Sequence, residues 1–168
     1  MSIRPDDIKV SSYELSYAYD TEIIPAQINQ GQKIEFFSNK FFADGSEKKI
    51  GTDYFALGDL GVVPRDNYFK VLGFGFDFEF ASLVDDIYTK IVKSSYIKFI
   101  VGSHLLGFLG PLKWFSWIAD KPILDLCKIE MPENTRYNVE LSFNNIEELS
   151  KDLKFQLIMK YERYAPIR

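Results

Sequence analysis

The sequence predicts an all-β domain, a sandwich or barrel of about eight antiparallel strands with one short helix. Three observations predict it. Apolar residues alternate with a period of two in segments spread along the chain. Clusters rich in Gly and Asp separate those segments at spacings typical of sandwiches and barrels. Only residues 82–92 carry helical spacing instead. The chain has 168 residues, 46% of them hydrophobic. That suits one domain, able to bury roughly 70% of the surface its unfolded chain exposes.

The first dozen residues, with Arg4, Pro5, Asp6 and Asp7, read as an extended arm (1–12) ahead of one domain (13–168). Alternation then begins, with Tyr13, Leu15, Tyr17 and Tyr19 on one side and Glu14, Ser16 and Ala18 on the other. A second strand is expected over 33–37. Asp44-Gly45-Ser46 and the 58–61 segment are turn signals. Residues 68–80 form the clearest strand, with Phe74, Phe76, Phe78 and Phe80 on one face. Four Phe side chains on one face require cover from a second sheet. Gly73 and Gly75 on the opposite face predict a bend or a close backbone approach.

Leu83, Ile87 and Ile91 recur every four residues, and Ser82 with Asp85 resembles a capping box, so 82–92 is the one expected helix. A strand over 96–101 ends at Gly102. Residues 105–117 are apolar and irregular, broken by Gly107, Gly110 and Pro111. Strand character returns weakly over 123–129, clearly over 137–143, and again over 152–164.

Composition excludes much chemistry. One cysteine, Cys127, rules out an intrachain disulfide, and one histidine, His104, leaves a zinc site short of its usual ligands. The same scarcity argues against a Cys-His pair and leaves only His104 for a Ser-His-Asp triad. Cys127 reads as a buried, inert thiol and His104 as a packing residue. The net charge of −4 divides into −5 over residues 1–84 (8 basic, 13 acidic) and +1 over 85–168 (12 basic, 11 acidic). Neither half is a basic nucleic-acid footprint. The lysines of the last 18 residues read as alternating outward along a strand.

The opening residues lack the apolar core of a secretory signal. The longest uncharged run, residues 99–112, is shorter than the roughly 20 apolar residues of a spanning helix.

Candidate motifs resolve into structural readings. Gly73-Phe74-Gly75 begins like a dinucleotide fingerprint, but Phe78 stands where the third glycine belongs, and the segment reads as strand with no helix N-terminus to receive a phosphate. Residues 102–107 have Walker-like glycine spacing, but Phe108 and Leu109 occupy the Lys and Ser/Thr positions. Asp77 and Glu79 share one strand face, and Asp85 with Asp86 suits a helix N-terminus. No catalytic residue, cofactor-binding residue or metal ligand is assigned, and no cofactor is expected. Trp114, Phe115 and Trp117 form the densest aromatic cluster. It has three readings: core filling, a sugar-stacking platform, or a subunit contact, since such residues are enriched at interfaces.

Taken in order, these segments resemble single jelly-roll capsid proteins of icosahedral, non-tailed, membrane-containing bacteriophages. An extended arm precedes the strands, and the likeness makes its Arg4, Pro5, Asp6 and Asp7 a candidate assembly arm. Gly58-Asp-Leu-Gly-Val-Val-Pro64 feeds the long apolar strand that starts at Asn67-Tyr-Phe-Lys-Val-Leu-Gly-Phe-Gly-Phe. A short helix, a strand ending at Gly102 and the aromatic Pro111-Leu-Lys-Trp-Phe loop follow. Tyr137-Asn-Val-Glu-Leu-Ser-Phe143 and a closing strand running into Arg163-Tyr-Ala-Pro166-Ile-Arg168 complete the likeness. It covers the chain from about residue 20 onward and rests on order and texture.

The resemblance implies a single jelly roll and a non-enzymatic virion protein. Better-known membrane-phage major capsid proteins carry two rolls per chain, whereas this length holds one. A vertex (penton) subunit is therefore preferred over a small major capsid protein. The implied partners are further copies of the chain, a pentamer foremost, other capsid proteins, and an internal viral membrane. No sequence-specific nucleic-acid binding is expected. The implied location is the virion, after synthesis in the host cytoplasm. The rival from another class is a carbohydrate-binding β-sandwich using Trp114 and Trp117 as a stacking platform. A metal-dependent cupin-like enzyme ranks third, because one histidine falls short of its ligand set.

Overall fold

The computed structural model describes residues 13–27, 32–78, 95–102, 105–111, 129–143 and 152–165. Among them are nine strands: β1 (Tyr13–Ile24), β2 (Lys33–Phe36), β3 (Tyr54–Phe55), β4 (Tyr68–Phe78), β5 (Ser95–Val101), β6 (Leu105–Pro111), β7 (Ile129–Met131), β8 (Tyr137–Phe143) and β9 (Leu153–Tyr164). They form a five-stranded sheet in the order β3-β1-β9-β4-β7 and a four-stranded sheet in the order β2-β8-β5-β6. Every neighbouring pair is antiparallel. The expected all-β, two-sheet architecture is therefore present. The helix expected over 82–92, the arm over 1–12 and the segment 123–128 lie outside the described residues.

Alternation explains the strands that form the core. In β8, Tyr137, Val139, Leu141 and Phe143 are buried while the residues between them are partly exposed. In β5, Ser95, Ile97, Phe99 and Val101 are buried in the same way. The larger sheet answers with Leu153, Phe155, Leu157, Met159 and Tyr161 of β9. Aromatic rings join the layers and fill them. Phe74 of β4 meets Phe99 of β5 edge-on at 4.9 Å, and Phe36 of β2 lies 5.7 Å from Phe155 of β9. Within the larger sheet, Phe69 and Tyr161 sit 4.2 Å apart. Ring pairs at such separations contribute about 0.5–1.5 kcal/mol beyond the area they bury.

The long Phe-rich strand carries one irregularity. Phe69 and Val71 face the core, and so do Phe74 and Phe76. Strict alternation forbids that, because 71 and 74 have opposite parity. A register shift between Val71 and Gly73 supplies the missing residue, so the bulge falls at Leu72 beside the first of the two glycines. The shift lies beside the glycines whose pattern predicts a bend or a close backbone approach.

Two elements depart from the alternation pattern. The 105–111 segment is strand rather than irregular chain. It stands at the end of its sheet among the described strands, the position where a proline such as Pro111 is tolerated. The two-residue β3 has no periodic signature at all. It exists because Tyr54 and Phe55 meet Asp20 and Tyr19 of β1.

Candidate functional site

The first strand has an inverted character. Leu15, Tyr17 and Tyr19 pair across to Glu162, Lys160 and Ile158 of β9, and those pair on to Lys70, Gly73 and Gly75 of β4. This is the outer face of the larger sheet, since the core-facing β9 residues are the intervening ones. One row crosses it as Phe55, Tyr19, Ile158 and Gly75. Tyr19 and Phe55 stack at 6.1 Å, and the Tyr19 hydroxyl donates to the Gly51 carbonyl. Leu15 is 45% exposed, Tyr17 38% and Phe55 43%. The adjoining loop adds Ile50, 69% exposed. An apolar strip thus runs along the β1–β3 side of the sandwich, with the Lys160 ammonium 5.9 Å from the Tyr17 ring. Contiguous exposed apolar surface of this kind marks contact sites.

The opposite face of β1 points Ala18, Asp20, Glu22 and Ile24 into the interior. Two carboxylates there need a counter-charge, and Lys48 supplies it from the loop between β2 and β3. Its Nζ donates to Asp20 Oδ1 at 2.9 Å, to Glu22 Oε1, and to the Asn39 carbonyl at 2.7 Å. Those are all three donors of an ammonium. The second Asp20 oxygen, Oδ2, accepts the Phe37 backbone N–H at 2.7 Å. The Phe42 ring lies 5.6 Å from Nζ. The Asp20 and Lys48 side chains have no solvent exposure, and that of Glu22 is 10% exposed.

Burial dominates the electrostatics of this cluster. Desolvation raises the Asp20 carboxyl above its ordinary value, although the Lys48 charge, its hydrogen bond and the Phe37 N–H all oppose that. Desolvation pushes Glu22 up to about 7, against the Lys48 hydrogen bond and charge, with Asp20 adding to the rise.

A third feature is a cleft of about 260 Å³ whose lining includes Ser38, Gly61, Gly102, Arg136 and Asn138. Gly61 adopts φ +72°, and its carbonyl oxygen accepts the Tyr137 N–H at 2.8 Å. Its floor is backbone: a Cβ on Gly61 would strike the Phe37 carbonyl oxygen.

Most of the site residues singled out from sequence cannot be placed against these features. Trp114, Phe115 and Trp117, like Arg4, Pro5, Asp6 and Asp7, lie outside the described residues, as do His104, Cys127, Asp85 and Asp86. Asp77 is exposed on β4. Among the described residues no group of three or more His, Cys, Asp or Glu is placed to hold a metal ion. No helix among them is long and apolar enough to cross a membrane. The Lys48 cluster had no sequence signal, because its members stand 26 and 28 positions apart in the chain. The outer strip did have one, in the Leu15-Tyr17-Tyr19 alternation, but alternation does not say which side faces water. The chain matches no protein-family model, no curated protein and no solved structure.

Proposed function

We propose that this chain is a non-enzymatic structural protein of an icosahedral virus capsid, a single jelly roll that assembles side to side, with the pentameric vertex as its place. One observation carries the reading: the strands pair in nested order. β1 pairs with β9, β2 with β8, β4 with β7, and β5 with β6. Setting aside the two-residue β3, this is one long antiparallel hairpin of four nested pairs, divided between two four-stranded layers. Rolling such a hairpin around a core is what defines a jelly roll. A fold alone does not name a function, so the resemblance in segment order and the exposed strip of Leu15, Tyr17 and Phe55 supply the rest.

Symmetric assembly requires a repeated lateral surface. The strip lies on β1 and on the short edge strand β3, so a neighbour approaching from that side meets apolar rings first. Other capsid proteins and an internal viral membrane are the further partners of this reading, and the virion is its location. Electron microscopy and sedimentation of the purified chain over a range of concentrations test it. Fivefold rings support the vertex role, and closed shells the small major capsid protein instead. A protein that stays monomeric at high concentration and binds glycans overturns it in favour of a carbohydrate-binding module.

A further inference from the structure

We propose that Lys48 and Asp20 condense to an intramolecular isopeptide bond, with Glu22 as the proton relay. The inference is independent of the capsid reading. It rests on a juxtaposition in the interior: an amine nitrogen 2.9 Å from a carboxyl oxygen, a second carboxylate on the same nitrogen, and a backbone N–H on the other oxygen of the first. The alternative, a plain buried ion triad, keeps two carboxylates and one ammonium out of water with a surplus negative charge. Desolvation makes that arrangement costly even when every hydrogen bond is made. Condensation replaces the Lys48–Asp20 ion pair by a neutral amide.

The step balances without any co-reactant. One proton of the Lys48 ammonium passes, by way of Glu22, to the Asp20 carboxylate, which leaves a neutral amine and a neutral carboxylic acid. Burial assists that transfer, since it raises the proton affinity of both carboxyl groups. The Nζ lone pair then attacks Asp20 Cγ. The C=O pair moves onto Oδ2, where the Phe37 N–H is already aimed at the developing negative charge. Glu22 takes a second proton from the nitrogen and returns it to the Oδ1 hydroxyl. The Cγ–Oδ1 bond breaks, water leaves, and the Oδ2 pair re-forms the carbonyl. Glu22 ends as the carboxylate it began as. The one N–H left on the amide nitrogen retains the Asn39 carbonyl as an acceptor within reach.

The surroundings suit the reaction. The reacting side chains of Asp20 and Lys48 are fully buried, so hydrolytic return is hindered. Both sit on anchored backbone: Asp20 within the twelve-residue pairing of β1 with β9, and Lys48 through its N–H bond to the Lys40 carbonyl at 2.9 Å. Fixed geometry of this kind turns an unfavourable encounter into an intramolecular one. The product is a covalent ring through residues 20–48 that encloses β2, constraining the unfolded chain much as a disulfide does, in a protein whose single cysteine cannot form one internally.

The test is the intact mass of the full chain, denatured after incubation in the folded state at neutral pH. The expected result is a mass one water below that of the sequence. Proteolysis should yield a branched peptide joining Lys48 to Asp20, with no tryptic cleavage after Lys48. Lys48→Met should return the full mass. Glu22→Gln, folded by circular dichroism, should also return it, because the amine and the Asp20 carboxyl remain but the relay is gone. A folded wild-type chain at full sequence mass overturns the proposal. So does a water loss that persists in Lys48→Met, which would place it elsewhere, as at a cyclised Asp44-Gly45. A branched peptide through Glu22 instead of Asp20 overturns the assignment of the electrophile, and a water-light Glu22→Gln chain overturns that of the relay.

Discussion

Gly61 lies against the backbone of Phe37 so closely that no side chain fits between them. A Cβ there would collide with the Phe37 carbonyl oxygen and stand 2.9 Å from that of Tyr137, at a φ of +72°. Backbone atoms cannot rotate away as a side-chain tip can. Gly61→Ala is therefore expected to cost about 2–4 kcal/mol, combining left-handed strain with displaced backbone. The urea unfolding midpoint reads it directly. A shift below about 0.5 kcal/mol would mean the 61–63 strap is free to move.

The contact between Phe74 and Phe99 ties the two sheets together. Phe99 has no exposure and touches Tyr137 as well, with ring centroids 6.4 Å apart. Phe99→Ala should lose about 3–5 kcal/mol by the transfer and cavity terms. The denaturant midpoint should fall with an unchanged slope, as for a two-state domain.

Glu22 sets a pH dependence whose sign is opposite to that of an ordinary ion-paired carboxylate. Its folded pKa stands at about 7, above the unfolded value of 4.5. Between those values the folded state holds more protons than the unfolded one, so stability falls as pH rises through that window. The groups facing it are Lys48 and Asp20. Loss of the Lys48 charge by amide formation leaves the sign unchanged, because Glu22 then has no cation to favour its ionised form. Denaturation at pH 5 and pH 7.5 should show the higher midpoint at pH 5, and Glu22→Gln should flatten the difference.

Tyr161 offers a spectroscopic readout of the same physics at high pH. Burial pushes its phenol up to about 12, against its hydrogen bond with Ser16 and the Arg163 charge. Burial raises Tyr137 still more. Phenolate absorbance should thus show a delayed fraction that appears only with unfolding. Tyr161→Phe should remove part of that fraction. Complete ionisation of all tyrosines in the folded chain would contradict the burial.

The outer strip gives the mutational counterpart of the assembly reading. Leu15→Ser, Tyr17→Ser and Phe55→Ser sit on exposed positions and should each alter stability by about 0.5 kcal/mol or less. If these side chains anchor a neighbour, each should weaken self-association by about tenfold, corresponding to about 1.4 kcal/mol. Sedimentation of the three variants against wild type measures it. Unchanged association would move the contact to another surface.

Much of the fold was legible in the sequence, and the failures have physical causes. The strands over β4, β5, β8 and β9 follow from alternation because each has one dry face. The face of β1 does not, since its aromatic side is the outer one. Asp20 and Glu22 are inside only because Lys48 arrives from a distant loop, and local patterning carries no trace of such pairing. The bulge at Leu72 was foreshadowed by its glycines, but not the change of parity that lets Val71 and Phe74 share a side. β3 has two residues, too few for any period. The tryptophan cluster and the arm, which carried the sequence-level site, are not among the described residues.

The nested pairing bears on how this protein is made. β9, the last of the described strands, occupies the middle of its sheet and zips along β1, the first of them, over twelve residue pairs. Neither sheet neighbour of β9 is local in sequence, so the larger sheet cannot close while the ribosome still holds residues 153–164. Contacts of such long range slow folding, because the loop between them must be closed first. A nascent chain therefore cannot complete this sheet until residues 153–164 have emerged. A chain cut before residue 153 keeps β1 and β4 but lacks the strand that joins them, so half of the larger sheet has nothing to pair with.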